Sequence, residues 1–280
     1  MSKKDLQRRV GLESCARPAS ACCVAPSRVQ PLLIGELTYR RVLVILLCSA
    51  RRGPFLDSGG ILEEPISGRP RAQRPRPLPV LVLADVSGSM ADDGKIDVLN
   101  QSMATMIQSF AAEDSLRGEI WTGVVTFGGR RAALHHPLKP ADQVQWTDME
   151  PAGRTPLGGA LDLATQLLAD DGVIPRRAFR PTVVLVSDGI PTDEWRGPLQ
   201  RLLASERGTK ALRLAVGVGQ DMDEEAFAVL NAFIGNPAIA VKRADEVHEL
   251  PRFFDWITAT VTTQVRSGRI SIDDLSDFMN

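Results

Sequence analysis

The sequence predicts an α/β fold: a doubly wound, mainly parallel sheet flanked by helices, with a disordered N-terminal extension in front of it. Three observations lead there. From Leu78 onward, short apolar strand-like runs alternate with segments of helical period, as a sheet built from strand–helix–strand units requires. Two of the runs, Leu78–Ala84 and Val183–Val186, lead directly into loops carrying an aspartate, Asp85 and Asp188. Before Leu78 no period is sustained, and the stretch Arg69-Pro70-Arg71-Ala72-Gln73-Arg74-Pro75-Arg76-Pro77 favours extended, polyproline-like backbone.

Taken in order, residues 1–77 read as a disordered Pro/Arg-rich extension and linker, 78–266 as one domain, and 267–280 as a short acidic C-terminal tail. Strands are expected near 79–84, 119–127, 132–136, 182–187 and 212–218. Ile96, Leu99, Met103, Met106, Ile107 and Phe110 recur at spacings of three and four, and so do Leu157, Ala160, Leu161, Ala164, Leu167 and Leu168. These are the buried faces of two helices, with the methionines as core filler. Further helices are expected near 195–205, 223–232 and 244–266, the last carrying Val247, Leu250, Phe254, Ile257 and Val261.

Composition bounds the function. With 280 residues, 44% of them hydrophobic, the chain can bury a core that needs no disulfide staples. All four cysteines (Cys15, Cys22, Cys23, Cys48) precede the expected domain, which suits a reducing cytoplasm. The net charge of −1 hides an asymmetry: residues 1–78 carry 14 Lys+Arg against 6 Asp+Glu, leaving 19 against 28 in the rest. A domain this acidic lacks the basic footprint of a nucleic-acid binder. The apolar stretch Val42–Cys48 is far below the ~20 residues that span a bilayer, so no membrane association is expected.

The strongest motif is Asp85-Val86-Ser87-Gly88-Ser89. Oxygen side chains on alternate residues of a tight loop can converge on one point, and carboxylate plus hydroxyl suits a hard divalent cation. Two other segments carry the same chemistry. Thr155 lies in Gly153-Arg154-Thr155-Pro156-Leu157-Gly158-Gly159, and Asp188 in Ser187-Asp188-Gly189-Ile190-Pro191-Thr192-Asp193. Asp85 and Asp188 each follow a strand and should surface together at the carboxyl edge of the sheet. Thr155 before Pro156 also reads as a helix N-cap with proline at the first helical position.

Together the three segments resemble the metal-ion-dependent adhesion site of von Willebrand factor A domains, whose pattern is D-x-S-x-S, then Thr, then Asp. The resemblance covers about residues 77–266. It implies that Asp85, Ser87, Ser89 and Thr155 surround a divalent cation, Mg²⁺ first with Mn²⁺ or Ca²⁺ as alternatives, while Asp188 acts directly or through water. It also implies a protein-interaction module that holds a partner's Asp or Glu through the metal. The Leu-Pro-Val opening and the Ser187–Asp193 stretch are most similar to bacterial tellurium-resistance-associated members, which implies stress-response assemblies alongside a phosphatase and a kinase.

The competing enzyme reading is a Mg²⁺-dependent phosphohydrolase of the haloacid-dehalogenase type. That chemistry needs a second Asp two residues after the nucleophile, and Ser87 stands there, so no enzyme is expected. Asp92, Asp93 and Asp97 suit the start of a helix. His135 and His136, adjacent on a strand, should point to opposite faces and so share no metal, and His248 is isolated. Cys15, Cys22 and Cys23 lack a second spaced pair and do not make a zinc site.

Overall fold

The computed structural model describes residues 75–268, apart from 114, 116 and 221. All but the inner ends of the expected extension and acidic tail lie outside the described residues. Six strands, β1 (Arg76–Asp85), β2 (Gly118–Gly128), β3 (Arg131–Pro140), β4 (Thr182–Ser187), β5 (Leu212–Val218) and β6 (Lys242–Ala244), form one sheet in the order β3-β2-β1-β4-β5-β6. All neighbours are parallel except the β2–β3 hairpin. The helices are α1 (Lys95–Ala111), α2 (Leu157–Ala169), α3 (Arg196–Ala204), α4 (Glu206–Lys210), α5 (Glu224–Ile234) and α6 (Leu250–Ser267).

The chain steps from β1 one way to β2, and from β3 back across to β4 on the other side of β1. Right-handed crossovers therefore send α1 and α2 to opposite faces. Covered on both faces, β4 is buried at every residue and β1 at all but its first. The expected apolar stripes are the buried faces of α1 and α2, with Met103 0% and Met106 1% exposed. Leu167 is the exception, being only partly buried against the core.

Several boundaries differ from expectation. β1 begins at Arg76, so the last two residues assigned to the linker already pair with Gly118 and Glu119 of β2. β6 has no counterpart among the expected strands. The last helix starts at Leu250 rather than 244, because β6 and a 3₁₀ turn at Val247–Glu249 occupy the intervening residues.

The histidine expectation is corrected. Val124 pairs with His136 but Val125 with Leu134, so β3 carries an extra residue there, a β-bulge. The bulge breaks the alternation of faces. The two imidazoles stand 4.8 Å apart, and both reach Thr147: His135 Nε2 donates to its carbonyl at 2.8 Å, and its N–H donates to His136 Nε2 at 3.4 Å. His136 also stacks on Trp146. Their shared work is to hold the segment after β3 against the sheet.

Candidate metal centre

Strand β1 lies between β2 and β4 where the winding reverses, and ligands of open α/β sheets bind at the carboxyl ends of the strands at this point. Asp85 is the last residue of β1, and Ser187 the last of β4. The β1–β4 register pairs Ala84 with Val186, so the next step sets Ser187 beside Asp85. The Ser187 hydroxyl donates to Asp85 Oδ2 at 2.6 Å, and the Ser87 backbone N–H to Oδ1 at 2.8 Å. Asp85 is 0% exposed and has no cationic partner among the described residues. Burial is the main cause that raises its pKa from 3.8 to about 6, opposed by the hydrogen bonds from Ser187 and Ser87.

From Asp85 the oxygens continue outward. Ser87 Oγ lies 3.1 Å from Ser89 Oγ, the Ser89 hydroxyl donates to Asp188 Oδ1 at 2.9 Å, and Lys95 Nζ donates to Asp188 Oδ2 at 2.9 Å. Four of the five residues expected from the sequence thus lie in one connected group. Ser187 and Lys95 join it without having been expected there.

Thr155 reaches the group through the backbone. The loop before it is tied to the Asp85 loop by Ala152 N–H to Val86 O (2.6 Å) and Gly88 N–H to Gly153 O (3.0 Å). The loop after β4 is tied to Thr155 by Thr192 N–H to Thr155 O (2.9 Å) and Thr155 N–H to Thr192 Oγ1 (3.2 Å). Gly153 is required here: its φ is +62°, and a Cβ would stand 2.6 Å from Gly129 Cα in the β2–β3 turn.

The helix-cap reading of Thr155 is corrected. Pro156, not Thr155, is the N-cap of α2 and supplies no side-chain bond; the Asp193 carboxylate accepts from Gly158 N (2.9 Å) and Gly159 N (3.1 Å) instead. A carboxylate serves there because the helix start exposes unpaired N–H groups and a positive dipole end. Thr155, 7% exposed, is left without that task, and its hydroxyl makes no hydrogen bond among the described residues.

Two depressions flank the group and differ in charge. One of about 750 Å³ is lined by Asp92, Asp93, Asp188, Asp245 and Glu246, with Lys95 and His248. The other, of about 530 Å³, is lined by Arg130 and Arg154 with Asp193, which is committed to α2.

Among the described residues no three His, Cys, Asp or Glu side chains are grouped to hold a metal. The donor set at the switch point is of another kind, two carboxylates among three hydroxyls, which is a hard-oxygen set that fits a divalent cation. Also among the described residues, no helix is long and apolar enough to cross a membrane.

Residues 80–190 match the family model for the von Willebrand factor type A domain. The fold is similar to that of proximal thread matrix protein 1 from the mussel byssus, at 16% identity and TM-score 0.53, covering 67% of this chain and 48% of that one. It is similar to a von Willebrand factor type A protein from Catenulispora acidiphila (17% identity, TM-score 0.50, 67% and 43% covered). The pilus adhesin SpaC from Lactobacillus rhamnosus GG also resembles it (12% identity, TM-score 0.55, 69% and 31% covered). The chain spans half or less of the length of each. No curated protein matches it in sequence. The described residues have the fold of von Willebrand factor type A domains, and the family model matches the part of them from 80 to 190.

Proposed function

We propose that this domain is a metal-dependent protein-interaction module in which Asp85, Ser87, Ser89 and Thr155 surround a divalent cation, Mg²⁺ first, with Asp188 acting directly or through water. The observation that carries the reading is the connected run Asp85–Ser87–Ser89–Asp188 at the switch point, beginning at a buried carboxylate that has no cationic partner among the described residues. A buried ionised carboxylate is costly without compensating charge. When bound, the cation supplies an electron-poor centre that a partner's Asp or Glu can coordinate. The partner's acidic residue comes in over Arg130 and Arg154, because on the other side Asp92, Asp93, Asp245 and Glu246 repel it.

The dehalogenase-type phosphohydrolase is disfavoured. Ser87 stands where its acid/base is needed, and the Ser87 hydroxyl is engaged with Ser89. The resemblance to tellurium-resistance-associated members supports a cytoplasmic, bacterial stress-response assembly that includes a phosphatase and a kinase. The domain limits at 78–266, with an extension before and an acidic tail after, belong to the same proposal.

Isothermal titration of Mg²⁺ or Mn²⁺ into the full chain tests the metal. One saturable site is expected, lost in Asp85→Ala and weakened in Thr155→Ala. Equal binding by wild type and Asp85→Ala refutes the reading.

A further inference from the structure

Lys95 is the one cationic side chain bonded to the connected oxygen group among the described residues, and the fold is shaped to put it there. It is the first residue of α1, reached through two consecutive left-handed residues, Asp93 (φ 54°) and Gly94 (φ 70°). Its side chain is 14% exposed and that of Asp188 1%, so the 2.9 Å ion pair is shielded from water. Gly219, at φ +103° in the loop after β5, leaves room for it: a Cβ there would stand 3.3 Å from Lys95 Cε and 3.4 Å from Nζ. A lysine at a helix N-terminus faces the positive end of the dipole, so this placement runs against the helix's own preference.

We infer that Lys95 is a fixed third charge of the metal centre, weakening its hold on the cation and strengthening its hold on a partner carboxylate. This rests on the metal-bridged reading above. Two carboxylates and one ammonium give the centre one net negative charge, which a divalent ion turns into one net positive charge. Without Lys95 the loaded centre is neutral, and an incoming carboxylate gains less. The ammonium also occupies Asp188 Oδ2, which leaves the loaded centre short of anionic ligands and open to one from a partner.

The test uses the full chain, Mn²⁺ as probe ion and acetate as probe carboxylate. Calorimetry reads Mn²⁺ affinity, and water-proton relaxation reads acetate displacing Mn²⁺-bound water. Lys95→Gln, which keeps a donor for Asp188 but no charge, should bind Mn²⁺ about ten-fold or more tightly, since a unit charge near a divalent ion acts through a partly buried medium. The same variant should bind acetate several-fold more weakly. Lys95→Arg should restore the wild-type order of both. Opposite shifts are what a merely structural role cannot give, because a damaged site loses both ligands together. Unchanged or weaker Mn²⁺ binding in Lys95→Gln, with a normal site in the wild type, overturns this inference alone. Absence of any saturable Mn²⁺ site in the wild type overturns the metal-bridged reading with it.

Discussion

Asp85 sets a measurable conflict between folding and ionisation in the metal-free protein. Burial raises its pKa from 3.8 to about 6, so between those values the folded chain keeps a proton that the unfolded chain has released. Folded molecules therefore bind more protons than unfolded ones across that window, and stability must fall as pH rises through it. That rise corresponds to about 3 kcal/mol of stability, fully present below pH 3.8 and lost above about pH 6. The perturbation is Asp85→Asn, which keeps the shape and an oxygen to accept from Ser87 but cannot ionise. Urea unfolding in EDTA from pH 4 to 8 gives the wild-type-minus-mutant difference, in which other titrating groups cancel. That difference should move against the wild type by about 2–3 kcal/mol between the two ends of the range. Saturating Mg²⁺ should restore the wild type near pH 7.5 and leave Asp85→Asn unchanged. A difference that stays flat with pH in EDTA would refute the reasoning, since Asp85 would then ionise as easily folded as unfolded.

Three further outcomes are expected. Asp193→Ala should cost about 1–2 kcal/mol in urea unfolding, whereas Thr155→Ala should leave stability nearly unchanged while weakening Mn²⁺ binding, because the cap of α2 is Asp193. His136 should titrate below 6.5 by NMR, held down first by burial and then by His135 and Lys139; the folded chain then takes up protons later than the unfolded one, so this group removes stability as pH falls below 6.5. Arg213→Leu should cost about 1–3 kcal/mol by thermal or urea unfolding, since the guanidinium donates to Phe233 O, Ile234 O and Gly208 O, the carbonyl ends of two helices.

Asp85 and Asp188 were legible because each follows a continuous apolar run, and a strand that ends in a carboxylate announces the sheet edge where ligands collect. Thr155 was read as the cap of α2, and the structure gives it no such role. Thr-Pro before a helical segment is a local signal, and the cap comes from Asp193 through a contact 35 residues away. Lys95 carried no signal at all, since a lysine after Asp-Gly reads as an ordinary polar residue until the fold sets Gly219 beside it. β6 has three residues and pairs on one side only, too short for any period to appear. The His135–His136 arrangement hung on a bulge, which shifts register without leaving a mark in composition.

The segment from Asp188 to Asp193 grips the molecule at both ends. Its first residue joins the Ser89–Lys95 cluster and its last clamps the start of α2, with Thr192 bonded to Thr155 between them. The segment therefore works as a ruler. Substitutions at Gly189 or Ile190, which carry neither contact, should be tolerated more readily than a change in length. Deleting or inserting one residue would force a choice between Asp188 reaching the oxygen cluster and Asp193 reaching the helix. Libraries that vary this loop should recover functional variants of fixed length and free composition at its crest.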